Sequence, residues 1–240
     1  MKILSAKDYS EMSSIAAEII ANIVKEKPDA VLGLATGNTP IGMYKKLTEM
    51  YKAGEVDFSK VRTVNLDEYV GLGADDQNSY RAYMNKNLFF GINIDINNTN
   101  VPNGLADDVE AECKRYEDVI KSLGSQDIQV LGIGVNGHIG FNEPSITFNK
   151  GTHVVELTDS TIGVNSKIFK NLAAGAKAIT MGIKNIMNAK QILLIADGDS
   201  KKDILRKALY GEITPNVPAS VLQLHPNVTV VEACGLGSSN

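Results

Sequence analysis

Cysteine is scarce in this chain, and its two residues, Cys113 and Cys234, stand far apart with no motif spacing. That excludes a disulfide scaffold and an obvious zinc module. The three histidines show no metal-ligand spacing either, so no metal is expected. No apolar run approaches the roughly 18 residues that a membrane span needs. The opening MKILSAKDYSEM has too short an apolar stretch for a signal peptide. A cytoplasmic chain with reduced thiols and no membrane partner is the expectation. Basic residues are not in excess, since 24 Lys and Arg against 28 Asp and Glu leave a formal charge of −4. No Lys/Arg stripe rises above that acidic background, so no nucleic-acid partner is expected.

What the chain does have is 240 residues, 43% of them hydrophobic and 22% charged. That suits one α/β domain over residues 1–240, with a core burying roughly 70–75% of the unfolded surface. A helix is predicted over residues 9–27, where Ile15, Ile19, Ile20, Ile23 and Val24 recur at helical spacing. Apolar runs of strand length follow at 30–35, 61–66, 128–134, 178–182, 191–196 and 228–233. Helical patterns lie between several of them, at 42–53, 79–88, 107–123 and 200–211. This alternation predicts helices layered on a largely parallel sheet.

In such sheets ligands bind beyond the carboxyl ends of the strands, so the residues after each strand matter most. After the first central strand comes Thr36-Gly37-Asn38-Thr39-Pro40. A glycine, two hydroxyls and the free N–H groups of a helix start suit a phosphate. The plainer reading is a strand-to-helix turn with Thr39 as N-cap and Pro40 at the first helical position. The ending of a Walker loop is missing. After the next strand come Asp67 and Glu68, a carboxylate pair suited to acid–base work when partial burial raises a pKa. A solvated turn is the alternative.

The third loop is the most unusual. Gly132, Gly134 and Gly137 spell the dinucleotide fingerprint, but Phe141-Asn142-Glu143-Pro144 shows no helical pattern, and the fingerprint must open a helix. The glycines are therefore read as a tight loop bringing backbone against a small ligand. His138 and Glu143 share that loop, where a carboxylate can hold or orient an imidazole. His153 and His225 lack such company and read as surface or packing residues. Lys201 and Lys202 sit at a predicted helix start, where a nearby anion would compensate their charge. For Lys202 a solvated charge is the simpler reading.

Taken together these segments resemble the glucosamine-6-phosphate deaminase family. LGLATGNTPIGMYKKL (32–47), NLDEYVGL (65–72), LGIGVNGHIGFNEP (131–144), LTDSTIGVNSKIF (157–169) and VLQLHPNVTVV (221–231) match its blocks in order and cover nearly the whole chain. The resemblance implies a Rossmann-like three-layer fold that binds no dinucleotide. It also implies conversion of D-glucosamine 6-phosphate to D-fructose 6-phosphate and ammonia in amino-sugar catabolism. No metal or organic cofactor is implied, because each step is proton transfer or hydration. By the same resemblance Asp67 is the base that moves a proton from C2 to C1. His138 is the ring-opening acid/base with Glu143 as its partner. Thr36, Gly37, Asn38 and Thr39, with Lys167 and Lys201, form the phosphate clamp. A clamp away from the reacting carbons can use its binding energy to orient them.

Two departures from the family pattern stand out. Many members carry aspartate where this chain has Asn136, which can still accept a hydrogen bond from the imidazole but supplies no charge. Regulated members bind N-acetylglucosamine 6-phosphate through basic residues after the Phe-Asn-Glu-Pro block. Here residues 148–156 offer Lys150 and His153 but also Val155 and Glu156, so an unregulated enzyme, monomeric or homo-oligomeric, is expected. The rival readings are a 6-phosphogluconolactonase, which needs no C2 base, a sugar-phosphate sensor domain, and an NAD dehydrogenase.

Overall fold

The computed structural model describes residues 1–149, 151–157 and 176–236. Helix α1 (Tyr9–Glu26) starts where Asp8 accepts the Glu11 N–H at 2.8 Å, while Glu11 reaches back to the Lys7 N–H. Its buried stripe is Met12, Ala16, Ala17, Ile20, Ala21 and Val24. Ile15, Ile19 and Ile23 flank that stripe half-buried. The stripe is centred on alanines because small side chains let a helix approach its neighbours closely, a preference that hydrophobic spacing alone does not show.

The strands are β1 (Lys2–Ser5), β2 (Val31–Leu34), β3 (Arg62–Asn65), β4 (Asp67–Tyr69) and β5 (Thr99–Asn100). They continue with β6 (Ile128–Leu131), β7 (His153–Glu156), β8 (Lys177–Thr180), β9 (Ile192–Asp197) and β10 (Val228–Ala233). Seven form one sheet in the order β1-β10-β9-β6-β2-β3-β5, every pairing parallel. Helices α2 (Ile41–Lys52), α3 (Tyr80–Asn87), α4 (Val109–Leu123), α5 (Ile183–Met187) and α6 (Lys202–Tyr210) complete the described elements discussed below. The fold is the expected Rossmann-like α/β arrangement of a largely parallel sheet flanked by helices. Strands β2 and β6 are buried along their whole length, which accounts for their apolar sequence, broken only by Gln129, whose Nε2 donates to the Val130 carbonyl. Among the described residues no helix is long and apolar enough to cross a membrane.

One strand sits elsewhere than its sequence suggests. The run at 178–182 reads as a strand of the main sheet, yet β8 belongs to a second, antiparallel sheet in the order β4-β8-β7. A smaller cluster of Tyr69, Leu72, Phe141, Leu157, Ala176 and Ala178 makes its surroundings apolar. Burial writes the same apolar run whichever sheet supplies it. Edge strands β1 and β5 are short and partly exposed, and carry little apolar signal.

The order in which strands are added to the main sheet reverses between β2 and β6. From β2 the chain passes through α2 to β3 on one side, whereas β9 and β10 build outward from β6 on the other. The loops after β2 and β6 therefore part at this switch and leave a crevice. Leu194 lies fully buried in β9 between β10 and β6. Truncating it leaves a cavity that rigid strands cannot close, so Leu194→Ala should lower unfolding free energy by about 2–5 kcal/mol, measured by urea denaturation.

Candidate active site

The crevice is a cleft of about 410 Å³ lined by residues 35–39, 77–80 and 132–136 with Asp67, Tyr83, His138, Phe141 and Lys201. Asp67 enters it from β4, the strand immediately after β3. Because strand side chains alternate, Asp67 and Glu68 part company. Asp67 is 5% exposed, and its Oδ1 is buried with no hydrogen-bond partner among the described residues. Burial first, and the neighbouring Glu68 charge second, raise its pKa from the usual 3.8 to about 8. Glu68 points the other way, accepting the N–H groups of Tyr69, Tyr80 and Arg81 at 2.8, 2.9 and 2.9 Å. Burial raises it to about 7 although those three donors pull it down. Sequence presents an acidic pair; the fold makes one a cleft carboxyl and the other an anchor for the start of α3.

The loop after β6 supplies the imidazole. His138 Nδ1 lies 3.2 Å from Glu143 Oε1, an ion-pair distance without the angle of a hydrogen bond. Asn136 corrects the sequence expectation. Its Oδ1 accepts the His138 backbone N–H at 3.2 Å rather than a bond from the ring, and its Nδ2 donates to Glu143 Oε2 at 2.6 Å. A neutral amide can donate to the carboxylate, which aspartate cannot, so Asn136 sets the position of Glu143 and the loop instead of the imidazole itself. Gly134 packs under the ring: a Cβ there would lie 2.2 Å from His138 Cε1 and 2.4 Å from Nδ1. That glycine of the apparent dinucleotide fingerprint thus makes room for a histidine. Asn142 clamps the far end of the loop, its Nδ2 donating to the Ile139 and Met181 carbonyls at 2.9 Å each. The Phe141 N–H donates to Thr180 Oγ1 at 3.1 Å, and Thr180 is the register partner of Asp67.

Residues 36–39 form the cleft wall opposite, with Gly37 at φ +93°, a backbone conformation that favours glycine. Thr39 is not the cap of α2. Pro40 takes that position with no side-chain cap of its own, and the Tyr9 hydroxyl accepts the Gly42 N–H at 2.8 Å. Lys201 lines the same cleft and donates from Nζ to the Ile133 carbonyl at 2.7 Å. Burial lowers its pKa, which an anion beside it would reverse. Lys167 lies outside the described residues, as does Lys150. His225 is a packing residue, donating from Nε2 to Ala189 O at 2.8 Å and accepting the Asn227 N–H at Nδ1. His153 has both ring nitrogens engaged by Asn149 and Gly151.

Sequence reading missed Gln77, Asn78, Ser79, Tyr80 and Tyr83, all of which line the cleft. The one signal available was Ser79, which caps α3 by accepting the Ala82 N–H at 3.0 Å. Tyr80 stacks on Phe141 at 6.1 Å and shares a hydroxyl contact with Tyr69 at 2.9 Å, closing the cleft floor with aromatic rings.

The family described as glucosamine-6-phosphate isomerases/6-phosphogluconolactonase matches residues 7–231. The chain belongs to that family. Among its relatives, the glucosamine-6-phosphate deaminase of Lachnoclostridium phytofermentans is 57% identical over 232 residues, covering 96% of this chain and 98% of that one. That of Clostridium novyi is 56% identical, with 96% of each covered. A solved monomeric glucosamine-6-phosphate deaminase superposes with a TM-score of 0.94 at 50% identity, covering 98% of this chain and all of that one. The 6-phosphogluconolactonase of Thermotoga maritima gives a TM-score of 0.76 at 20% identity over 96% of this chain and 98% of its own, which shows a shared fold.

Two outcomes follow from the geometry of this family member. Gly134→Ala should push the imidazole off its seat and reduce kcat/KM by about 10- to 100-fold, measured by steady-state kinetics. Asp67→Asn should alter stability with a definite sign. A carboxyl whose native pKa stands at about 8, above the usual 3.8, favours folding below the lower value. That contribution is lost as pH rises through the upper one. Asparagine buries no charge, so the Tm of the variant should exceed that of the parent at pH 9, with the gap narrowing towards pH 4 in thermal melts.

Proposed function

We propose that this chain is a glucosamine-6-phosphate deaminase, acting as one catalytic domain on a small sugar phosphate. The observation that carries the reading is Asp67, a buried carboxyl with an unpartnered oxygen in the same cleft as the His138–Glu143–Asn136 group. A sugar 6-phosphate fits with its phosphate at residues 36–39 and Lys201, and the family resemblance assigns Lys167, outside the described residues, to the same clamp. His138, positioned beside Glu143, moves the proton that opens the ring to the aldehyde. Asp67 then takes the C2 proton while the aldehyde oxygen gains one relayed by His138, leaving an enolamine between C1 and C2. Returning that proton to C1 converts the C2 amine to an iminium. Water adds to the iminium and ammonia departs, leaving the ketose. Desolvation matches the Asp67 pKa to proton removal from carbon near neutrality, because a carboxylate with a pKa of 4 is too weak a base.

Deaminase relatives at more than half identity over nearly the full length support this reading over lactone hydrolysis, which needs no base at C2. The test is a coupled assay for ammonia and fructose 6-phosphate from glucosamine 6-phosphate, run beside hydrolysis of 6-phosphogluconolactone. Ammonia release is expected, with kcat/KM climbing as pH rises towards about 8, where Asp67 ionises in the free protein. Asp67→Asn should lose more than about 100-fold. Lactone hydrolysis without ammonia release, or full turnover by the asparagine variant, would sink the assignment.

A further inference from the structure

The carbonyls of residues 35–39 are held by three tyrosines that come from three different helices. Tyr44, in α2, donates its hydroxyl to the Ala35 carbonyl at 2.5 Å. Tyr83, in α3, donates to the Gly37 carbonyl at 2.5 Å. Tyr9, the first residue of α1, engages the Asn38 and Thr39 carbonyls at 3.1 Å each while accepting the Gly42 N–H. A trans peptide is rigid and planar, so a carbonyl held by a hydroxyl turns the next N–H away from that hydroxyl. Fixing the carbonyls of Ala35, Gly37 and Asn38 therefore fixes the N–H groups of Thr36, Asn38 and Thr39 on the side away from the hydroxyls, available to an anion.

Tyr9 does a second thing. The strand-to-helix turn before α2 needs an acceptor for its first N–H groups, and a neighbouring threonine is the usual source. Here the Tyr9 hydroxyl fills that place for Gly42, and Thr39 Oγ1 makes no hydrogen bond among the described residues. The cap is supplied by another helix, and the loop keeps its own hydroxyl for a ligand.

We propose that Tyr9 and Tyr83 are positioning residues for the phosphate group of the substrate, which hold the loop amides in their anion-binding orientation without touching the reacting carbons. This rests on the deaminase reading above and on residues 36–39 holding the phosphate. Tyr83 is the cleaner probe, because among the described residues its hydroxyl bonds only to the Gly37 carbonyl, whereas Tyr9 also caps α2.

The experiment compares Tyr9→Phe and Tyr83→Phe with the parent enzyme and with Tyr210→Phe, an exposed tyrosine outside the cleft. Each is assayed for kcat and KM with glucosamine 6-phosphate and for competitive inhibition by inorganic phosphate. Losing one such hydrogen bond should raise KM and the phosphate inhibition constant together by about five- to tenfold, with kcat held within about twofold. Tyr210→Phe should move neither. Unchanged KM and phosphate inhibition in Tyr83→Phe, or a fall in kcat with KM constant, overturns the proposal. If the parent releases ammonia but phosphate does not inhibit it, the placing of the phosphate at this loop is overturned too. If the parent releases no ammonia, the deaminase reading itself fails.

Discussion

Asp67 is a carboxyl at the edge of the cleft, almost wholly buried, whose Oδ1 no described donor satisfies. An arrangement of this kind disfavours the charged form and persists only because the surrounding structure holds it. The antiparallel pairing of β4 with β8 fixes the Asp67 backbone, and Thr180 opposite it also grips the histidine loop at Phe141. Glu68, one residue on, ties the same strand to the start of α3 through the N–H groups of Tyr80 and Arg81. The second sheet thus acts as the mount for one reactive group, while the main sheet supplies the two loops that face it.

The same economy recurs in the loops, where the groups available for chemistry are kept in place by neighbours that do none. Glu143 is positioned by Asn136, and His138 rests on the bare backbone of Gly134. The loop after β2 is held by tyrosines from α1, α2 and α3. A site preorganised in this way needs little rearrangement as charge develops, which is where most catalytic power of polar sites resides. The fold does not choose the chemistry. Lactonases at about 20% identity share the architecture, so the reaction is decided by which side chains stand at the strand ends.

Much of this was legible from residue order. Continuous apolar runs located the buried strands β2, β6, β9 and β10, because strands covered on both faces leave no room for polar alternation. Glycine, asparagine and histidine after β6, and the carboxylates after β3, marked the cleft, since such residues at strand ends have few other uses. Edge strands and the second sheet were not legible, because pairing partners distant in sequence leave no local periodicity.

Sequence by itself determined the layered α/β frame, the loops that carry Asp67, His138 and Glu143, and the kinship with sugar-phosphate enzymes. Those are properties of local pattern, which burial and turn chemistry impress on neighbouring residues. Tertiary structure alone decided that Asp67 turns to the cleft while Glu68 anchors a helix, that Asn136 braces the carboxylate instead of the ring, and that Tyr9, Tyr44 and Tyr83 converge on one loop. Each of those depends on which groups meet across long stretches of chain, and hydrogen bonds between such groups impose no spacing that a sequence displays.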